Sequence, residues 1–259
     1  MKFTKMQALG NDYICINTME EKIENPIELT KKLSNRHLGV GGDGVIFIDS
    51  SEKADVKMRM YNADGTEGKL CGNGVRCVAK YVYERKIVRN EKIRIETYNR
   101  IIETKIFLKK DENGVIANMG KVSVGQKNKK ISVGKTEYSS DYISIENPHL
   151  VVYVDDLEKV DMREWEEYGL VNVEFISVVN RGMINMRVKE RGVGETMACG
   201  TGACVAAVSC MMRNYVDNYV EVKMPGGNLT IEWEKEKNHV WMTGEAKTVF
   251  EGEIDVCLL

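Results

Sequence analysis

"ETMACGTGACVAAVSCMM", residues Glu195–Met212, carries a helix with no polar face. From Gly202 to Met212 the side chains are small or apolar almost all round. Such a helix has to be covered on every side. The rest of the chain must supply that cover, and the rest reads mainly as strand. Alternating or β-rich apolar runs occur at Val45–Ile48, Val56–Tyr61, Ile93–Thr97, Ile101–Leu108, Val151–Val154, Val173–Val179 and Ile184–Val188. Residues Val220–Glu234 read as a hairpin with Gly226, Gly227 and Asn228 near its tip. A buried helix among many strands implies a sheet curled around it.

The same arrangement occurs twice. Placing Lys57–Gly74 over Asn185–Gly202, an offset of 128 residues, aligns "KMRMYNADGTEGKLCGNG" with "NMRVKERGVGETMACGTG" without a gap. Six of the eighteen positions are identical, among them Cys71 with Cys199, Gly72 with Gly200 and Gly74 with Gly202. A fainter echo pairs "LGNDYICIN" around Asn11 with "IENPHLVVYV" around Asn147. The second helix of the pair, Val75–Arg85, is apolar over much of its circumference, with Arg76, Lys80, Glu84 and Arg85 on the remainder. Two further helices are expected. Pro26–Ser34 has Asn25 as N-cap and proline at its first position, and Asp156–Tyr168 is the other.

The chain therefore reads as an α+β protein of two pseudo-symmetric domains, each a mixed, mainly antiparallel sheet around a central helix. The first, residues 1–118, carries Cys71; the second, 119–249, carries Cys199; a strand near 250–259 returns to the first.

Bulk properties exclude several classes of function. The chain has 259 residues, 43% hydrophobic and 29% charged, with a formal net charge of -2. It therefore lacks the basic excess of a nucleic-acid binder. No apolar run approaches the roughly 18–20 residues of a membrane span. The start, "MKFTKMQALGND", has no continuous apolar stretch of the secretory kind. Seven cysteines without framework spacing suit a reducing compartment, so the cytoplasm is the expected location.

The matched cysteines carry the chemistry. A thiol at a helix N-terminus feels the positive end of the helix dipole, which favours the thiolate. The glycines after it leave backbone N–H groups open to an anion. If both sites face one anionic substrate, one thiolate can remove a proton from one face while the other thiol delivers one to the opposite face. The product is an inverted stereocentre, and the N–H groups stabilise the charge that builds on the carboxylate. Other readings fit less well. The spacing of Cys71 with Cys77, or of Cys199 with Cys204 and Cys210, is not that of zinc ligands. A nucleophile paired with histidine needs one cysteine, not two. Cys15, Cys77, Cys204, Cys210 and Cys257 read as small buried thiols. A binding protein with structural cysteines is a third possibility. "GVGGDG", Gly39–Gly44, lacks the strand and helix context of a dinucleotide loop.

Five stretches, "MKFTKMQALGNDYICIN", "RHLGVGGDGVIFI", "YNADGTEGKLCGNGVRC", "ENPHLVVYVDD" and "NMRVKERGVGETMACGTGACVAA", resemble the diaminopimelate epimerases in order and spacing. The resemblance runs from Met1 to the late hairpin. It implies an isomerase that interconverts LL- and meso-diaminopimelate without cofactor or metal, for lysine and peptidoglycan synthesis, and that works as a homodimer. It implies Cys71 and Cys199 as the acid–base pair, tuned by His149 and Glu190. Substrate contacts are implied from Asn11, Asn62, Gly72, Asn73, Asn147, Asn172, Glu190, Arg191, Gly200 and Thr201. The residue types suit the substrate, since an arginine fork grips a carboxylate and a glutamate with asparagine amides grips an ammonium. Gln7, Gly44, Glu146 and Lys189 depart from the usual pattern of these enzymes. Glu146 stands beside Asn147 where glycine is common, so lanthionine, histidine or another amino acid is the alternative substrate.

Overall fold

The structure is a computed structural model that describes residues 1–68, 71–108 and 113–255. It contains two compact units, Met1–Ala117 with Gly244–Leu259, and Asn118–Thr243.

In the first unit β1 (Lys2–Ala8) and β2 (Asn11–Asn17) form an antiparallel pair. The turn between them places Leu9 and Gly10 at φ 55° and 84°, the left-handed region that glycine enters without strain. Helix α1 (Pro26–Ser34) then crosses to β3 (Gly44–Asp49), which lies parallel to β2. The helix begins where the sequence places it, because the Asn25 side chain accepts the Glu28 N–H at 3.3 Å and Pro26 has no N–H to satisfy. Next come β4 (Val56–Asn62), antiparallel to β3, and a short β5 (Glu67–Gly68). Helix α2 (Gly72–Glu84) leads to β6 (Lys92–Glu96), which is parallel to β4. β7 (Ile101–Leu108) and β8 (Asn113–Lys121) follow in antiparallel order.

The second unit repeats this path. After β9 (Ser123–Val124) and β10 (Lys129–Val133), β11 (Thr136–Ile145) and β12 (Asn147–Tyr153) pair antiparallel. A connection leads to β13 (Asn172–Asn180), parallel to β12. β14 (Met183–Glu190) runs antiparallel to β13, and the short β15 (Gly194–Thr196) pairs with β14. Helix α3 (Gly200–Met212) leads to β16 (Tyr219–Met224), parallel to β14. β17 (Gly227–Glu234) and β18 (His239–Gly244) close the unit in antiparallel order. The last strand, β19 (Lys247–Glu253), pairs with β1, as β10 pairs with β11.

The fold class is thus the expected one, with each unit a mixed sheet around one helix. Helix α3 packs against β11, β12, β13, β14, β16 and β17, and its residues Ala203–Val208 have no exposed surface. Helix α2 packs against β1, β2, β4, β6 and β7. Arg76, read from sequence as part of its polar side, is also fully buried. Its guanidinium is satisfied by the carbonyls of Glu245 (3.2 Å) and Gly72 (3.3 Å) and by Asn73 Oδ1 (2.8 Å). Each sheet covers its other face with the connection between its parallel strands. In the first unit Leu29 and Leu33 of α1 meet Ile14, Ile16, Val45 and Phe47. In the second, Val160 and Trp165 meet Leu150, Val152, Val173 and Phe175.

That second connection differs from the expected helix at Asp156–Tyr168. It forms two 3-10 segments, Leu157–Lys159 and Met162–Tyr168. Asp156 and Asp161 each bend back to accept the N–H two residues on, from Glu158 and Arg163. Val160, extended between them, turns into the core. Two local caps compete successfully with one continuous helix. The expected hairpin is present as β16 and β17, with the turn at Pro225–Gly226 and Gly227 at φ 133°. The sequence reading of Cys257 lies outside the described residues.

Helix α3 ends on a buried charge. Arg213, its C-cap residue, places Nη2 at 2.7 Å and Nε at 2.8 Å from the two oxygens of Asp141 in β11. Asp141 also accepts the Ser209 hydroxyl at 2.6 Å and the Asn128 N–H at 2.8 Å. Burial works to raise the Asp141 carboxyl, and these donors overcome it and hold it below its ordinary value. Because the folded value is lowered, the pair contributes its stability above the unfolded carboxyl's range, and loses it as pH falls through the lowered value. Asp141→Ala leaves the Arg213 charge uncompensated and is expected to cost about 3–5 kcal/mol. Denaturant unfolding at pH 7 checks the loss. Repeating it at progressively lower pH should show the gap between wild type and variant closing.

Candidate functional site

Cys71 and Cys199 are the N-cap residues of α2 and α3. Their backbones match closely, at φ -138°, ψ 112° and φ -129°, ψ 115°. Each sulfur occupies the place of the usual cap oxygen. Cys71 Sγ accepts the Gly74 N–H at 3.5 Å, and Cys199 Sγ accepts the Gly202 N–H at 3.4 Å. Both helices start earlier than their apolar pattern shows, because the Gly-x-Gly turn is itself helical. A side chain at Gly202 would not fit, since its Cβ would lie 2.7 Å from Glu174 Oε1. At Gly74 a Cβ would lie 2.9 Å from Met58 Cε.

The two surroundings differ. In the first unit Asn11 opens β2 and Asn73 sits in the first turn of α2. Asn11 Nδ2 donates to Asp43 Oδ2 at 2.6 Å, while its Oδ1 accepts the Tyr13 hydroxyl at 2.5 Å and Asn73 Nδ2 at 3.3 Å. The Tyr13 oxygen lies 2.9 Å from Cys71 Sγ. Asp43 is anchored by Arg36 at 2.9 Å, and Arg36 also forks onto Asp12 at 3.0 and 2.7 Å. Burial acts to raise the Asp12 carboxyl, but Arg36 and Lys5 hold it well below the usual range. Asn62, at the end of β4, bonds to Thr66 rather than to this cluster.

In the second unit Asn172, the first residue of β13, accepts the Arg191 N–H at 2.9 Å and points Nδ2 at Cys199 Sγ from 3.9 Å. The Thr201 hydroxyl lies 3.5 Å from that sulfur. Glu190, at the end of β14, receives the Thr196 hydroxyl at 2.5 Å. His149 is fully buried, with Nδ1 at 2.7 Å from Glu174 Oε1 and Nε2 at 3.1 Å from Asn147 Oδ1. The Arg191 side chain is exposed. Asn147, His149, Asn172, Glu190, Arg191, Cys199, Gly200 and Thr201 thus gather at one end of the second sheet. Asn11, Gly72, Asn73 and Cys71 gather in the first, while the exposed Asn62 side chain is turned to Thr66.

One expectation needs correction. The helix N-terminus does not depress Cys199. Burial raises this thiol well above its ordinary value, the charges of Glu190 and Glu174 raise it further, and the Thr201 hydroxyl and Gly202 N–H oppose them only in part. Burial also raises the Glu190 carboxyl, against the Thr196 hydroxyl. Burial and these charges therefore favour the neutral thiol at Cys199.

Sequence reasoning overlooked Tyr13, Asp43, Glu174 and Thr196. A signal for two of them was present. Tyr13 is two residues from Asn11, and Glu174 two from Asn172, so each shares a strand face with a recognised asparagine. Glu146 lies at φ 66°, which explains why glycine is common there. Among the described residues no group of three His, Cys, Asp or Glu side chains could hold a metal ion. No helix among them is long and apolar enough to cross a membrane.

A family profile described as diaminopimelate epimerase matches residues 3–125 and 142–249. A diaminopimelate epimerase of Methanococcus maripaludis is 40% identical, over 99% of this chain and 100% of its own length. One from Acetivibrio thermocellus is 41% identical over 99% of both. Among solved structures, a phenazine biosynthesis protein of the PhzF family from Bacillus anthracis superposes with a TM-score of 0.78 at 19% identity, covering 99% of both chains. A hydroxyproline epimerase from Agrobacterium vitis does so with a TM-score of 0.70 at 14% identity, covering 98% of this chain and 90% of its own. These distant structures share the fold.

Removing the negative charge at position 190 should ease ionisation of Cys199. Glu190→Gln is expected to speed alkylation of Cys199 by iodoacetamide at pH 8 by about three- to tenfold, up to one unit's worth of pKa. Peptide mass spectrometry of the time course reads the rate.

Proposed function

Because the chain belongs to the diaminopimelate epimerase family, isomerases of an amino acid, we propose that it interconverts LL-2,6-diaminopimelate and meso-diaminopimelate by proton transfer between two thiols. The observation that carries this reading is the matched pair of cysteine caps, with one N–H donated to each sulfur at 3.5 and 3.4 Å. A structural thiol has no reason to recur at the N-terminus of both buried helices in the same backbone geometry.

In this mechanism Cys71 as thiolate takes the α-proton, and Cys199 as thiol delivers its proton to the opposite face of the α-carbon. The reverse reaction exchanges the roles, so each turnover leaves the two sulfurs with exchanged protonation. Glycine N–H groups at the two helix starts receive the substrate carboxylate and stabilise the charge that develops on it as the carbon acid ionises. Asn11 and Asn73 in one unit, and Asn147 and Asn172 in the other, present amides to the ammonium and carboxylate groups. Gly72, Gly200, Thr201 and Asn62 complete the contacts. The exposed guanidinium of Arg191 and the carboxyl of Glu190 suit the far end of a diamino dicarboxylate, the end that is not inverted. His149 and Glu190 tune Cys199. The protein works in the cytoplasm as a homodimer, on a precursor of lysine and peptidoglycan, with no cofactor.

A second reading keeps the thiols and changes the substrate to lanthionine, histidine or another amino acid. Glu146 beside Asn147 is what favours it. A monocarboxylate with an apolar side chain leaves Arg191 nothing to pair with.

Incubated with LL-diaminopimelate in deuterated water, the protein should yield meso product carrying deuterium at the inverted α-carbon. Cys71→Ala and Cys199→Ala should each lower turnover by about 10²–10⁴-fold, the usual contribution of a positioned acid or base. Wild-type turnover in either variant would remove the two-thiol mechanism. Turnover of lanthionine or histidine but not diaminopimelate, by chiral chromatography, would select the second reading.

A further inference from the structure

Tyr13 is a residue that the reaction as described leaves unused, yet its hydroxyl oxygen is within 2.9 Å of Cys71 Sγ. Its ring is buried, 4% exposed, on the face of β2 that carries Asn11. Burial raises the phenol well above its ordinary value, and the nearby Cys71 raises it further, so the group keeps its proton throughout the neutral range.

The directions in this network start from Asp43. Asp43 is anchored by Arg36 and, as a carboxylate, only accepts. Asn11 must therefore turn its NH₂ toward Asp43, which leaves Oδ1 as an acceptor. Oδ1 takes the single phenolic proton of Tyr13. With that proton on Asn11, the Tyr13 oxygen offers its lone pairs to the Cys71 thiol at 2.9 Å, a closer acceptor than Asn11 Oδ1, which lies 3.6 Å from the sulfur. The chain of donation runs Cys71 to Tyr13 to Asn11 to Asp43.

We propose that Tyr13 is the positioning residue of Cys71, accepting a hydrogen bond from the thiol and donating one to the thiolate. This rests on the acid–base role assigned to Cys71 above. When Cys71 gives its proton to the α-carbon, a lone pair remains on sulfur. The Tyr13 O–H rotates from Asn11 Oδ1 to that sulfur, and no proton leaves the phenol. When Cys71 regains a proton, the O–H returns to Asn11. A hydroxyl suits this task because it both donates and accepts, so both states of the sulfur keep a partner.

The internal repeat supports the assignment independently. Asn11 opens β2 as Asn147 opens β12, each strand being the partner of the next through a parallel pair. Two residues on, Tyr13 occupies the position that His149 holds in the other unit. Both side chains bond to the Oδ1 of their asparagine, at 2.5 and 3.1 Å. The two units thus place a polar ring at the same point of the fold beside each capped helix.

Tyr13→Phe keeps the ring and deletes the hydroxyl. The first measurement needs no substrate: alkylation of Cys71 by iodoacetamide in the whole protein, followed by peptide mass spectrometry from pH 6 to pH 10, with Cys199 as internal control. Loss of a charge-assisted hydrogen bond, about one to two tenfold steps in equilibrium, should slow Cys71 alkylation about tenfold at pH 7.5 and move its profile to higher pH, with Cys199 unchanged. Epimerisation should fall in kcat with KM little altered. An unchanged Cys71 profile in a variant with wild-type thermal unfolding would overturn the proposal. So would equal slowing at both cysteines, the mark of general damage. Because alkylation reads the sulfur directly, a protein that ignores diaminopimelate but shows the Cys71 shift would sink the substrate and not Tyr13.

Discussion

The sulfur that caps a helix is the interaction on which the rest depends. A helix start leaves four N–H groups without partners inside the helix. In α2 and α3 the glycines of the first turn are buried, and a short side chain at the cap reaches the N–H of Gly74 or Gly202. Cysteine does this through its sulfur. Glycine three residues on gives the neighbours room, since a Cβ would lie 2.7 Å from Glu174 Oε1 at Gly202 and 2.9 Å from Met58 Cε at Gly74. The sheet has to wrap the helix to keep it covered. The connection between the parallel strands then has to cover the sheet, as α1 does in one unit and the two 3-10 turns do in the other.

Closely matched backbone has been given unlike chemistry. Cys71 faces a phenol and an amide chain that ends on an arginine-held carboxylate. Cys199 faces two carboxyl groups and a threonine hydroxyl in a drier setting. The helix dipole is common to both, so it cannot distinguish them. The difference comes from the strand residues that surround each cap. At Cys199 desolvation and two negative charges raise the thiol, and the Thr201 hydroxyl and Gly202 N–H of the first helical turn oppose them only in part.

Much of this was legible beforehand, and the reasons differ by element. Helix α3 and its partner were visible because a helix without a polar face has only one kind of place to go. The cap of α1 was visible in Asn25–Pro26. Strands β1, β10, β11 and β18 were not marked out, since their apolar residues alternate with charged or polar ones over short runs that turn segments also show. The 3-10 connection was missed because Asp156 and Asp161 cap turns as readily as they start a helix. Among the candidate site residues, the cysteines were named from the internal repeat, and the asparagines and Glu190 from the family resemblance. Tyr13 and Glu174 were not, because a tyrosine or glutamate within a strand acquires its role from what the neighbouring strand and helix bring to it.

The return of β19 to β1 has a consequence for how the chain is made. Residues 118–243 form an uninterrupted unit and can close as soon as they leave the ribosome. The first unit cannot: β1, at the beginning, has its outer edge open until residues 247–253 emerge. Throughout synthesis of the middle of the chain, an edge that includes Phe3 and Met6 offers unpaired backbone groups to any passing strand. The half that begins first is therefore the half that finishes last, and a chain stopped short of its final strand would carry a complete second unit beside an adhesive first one.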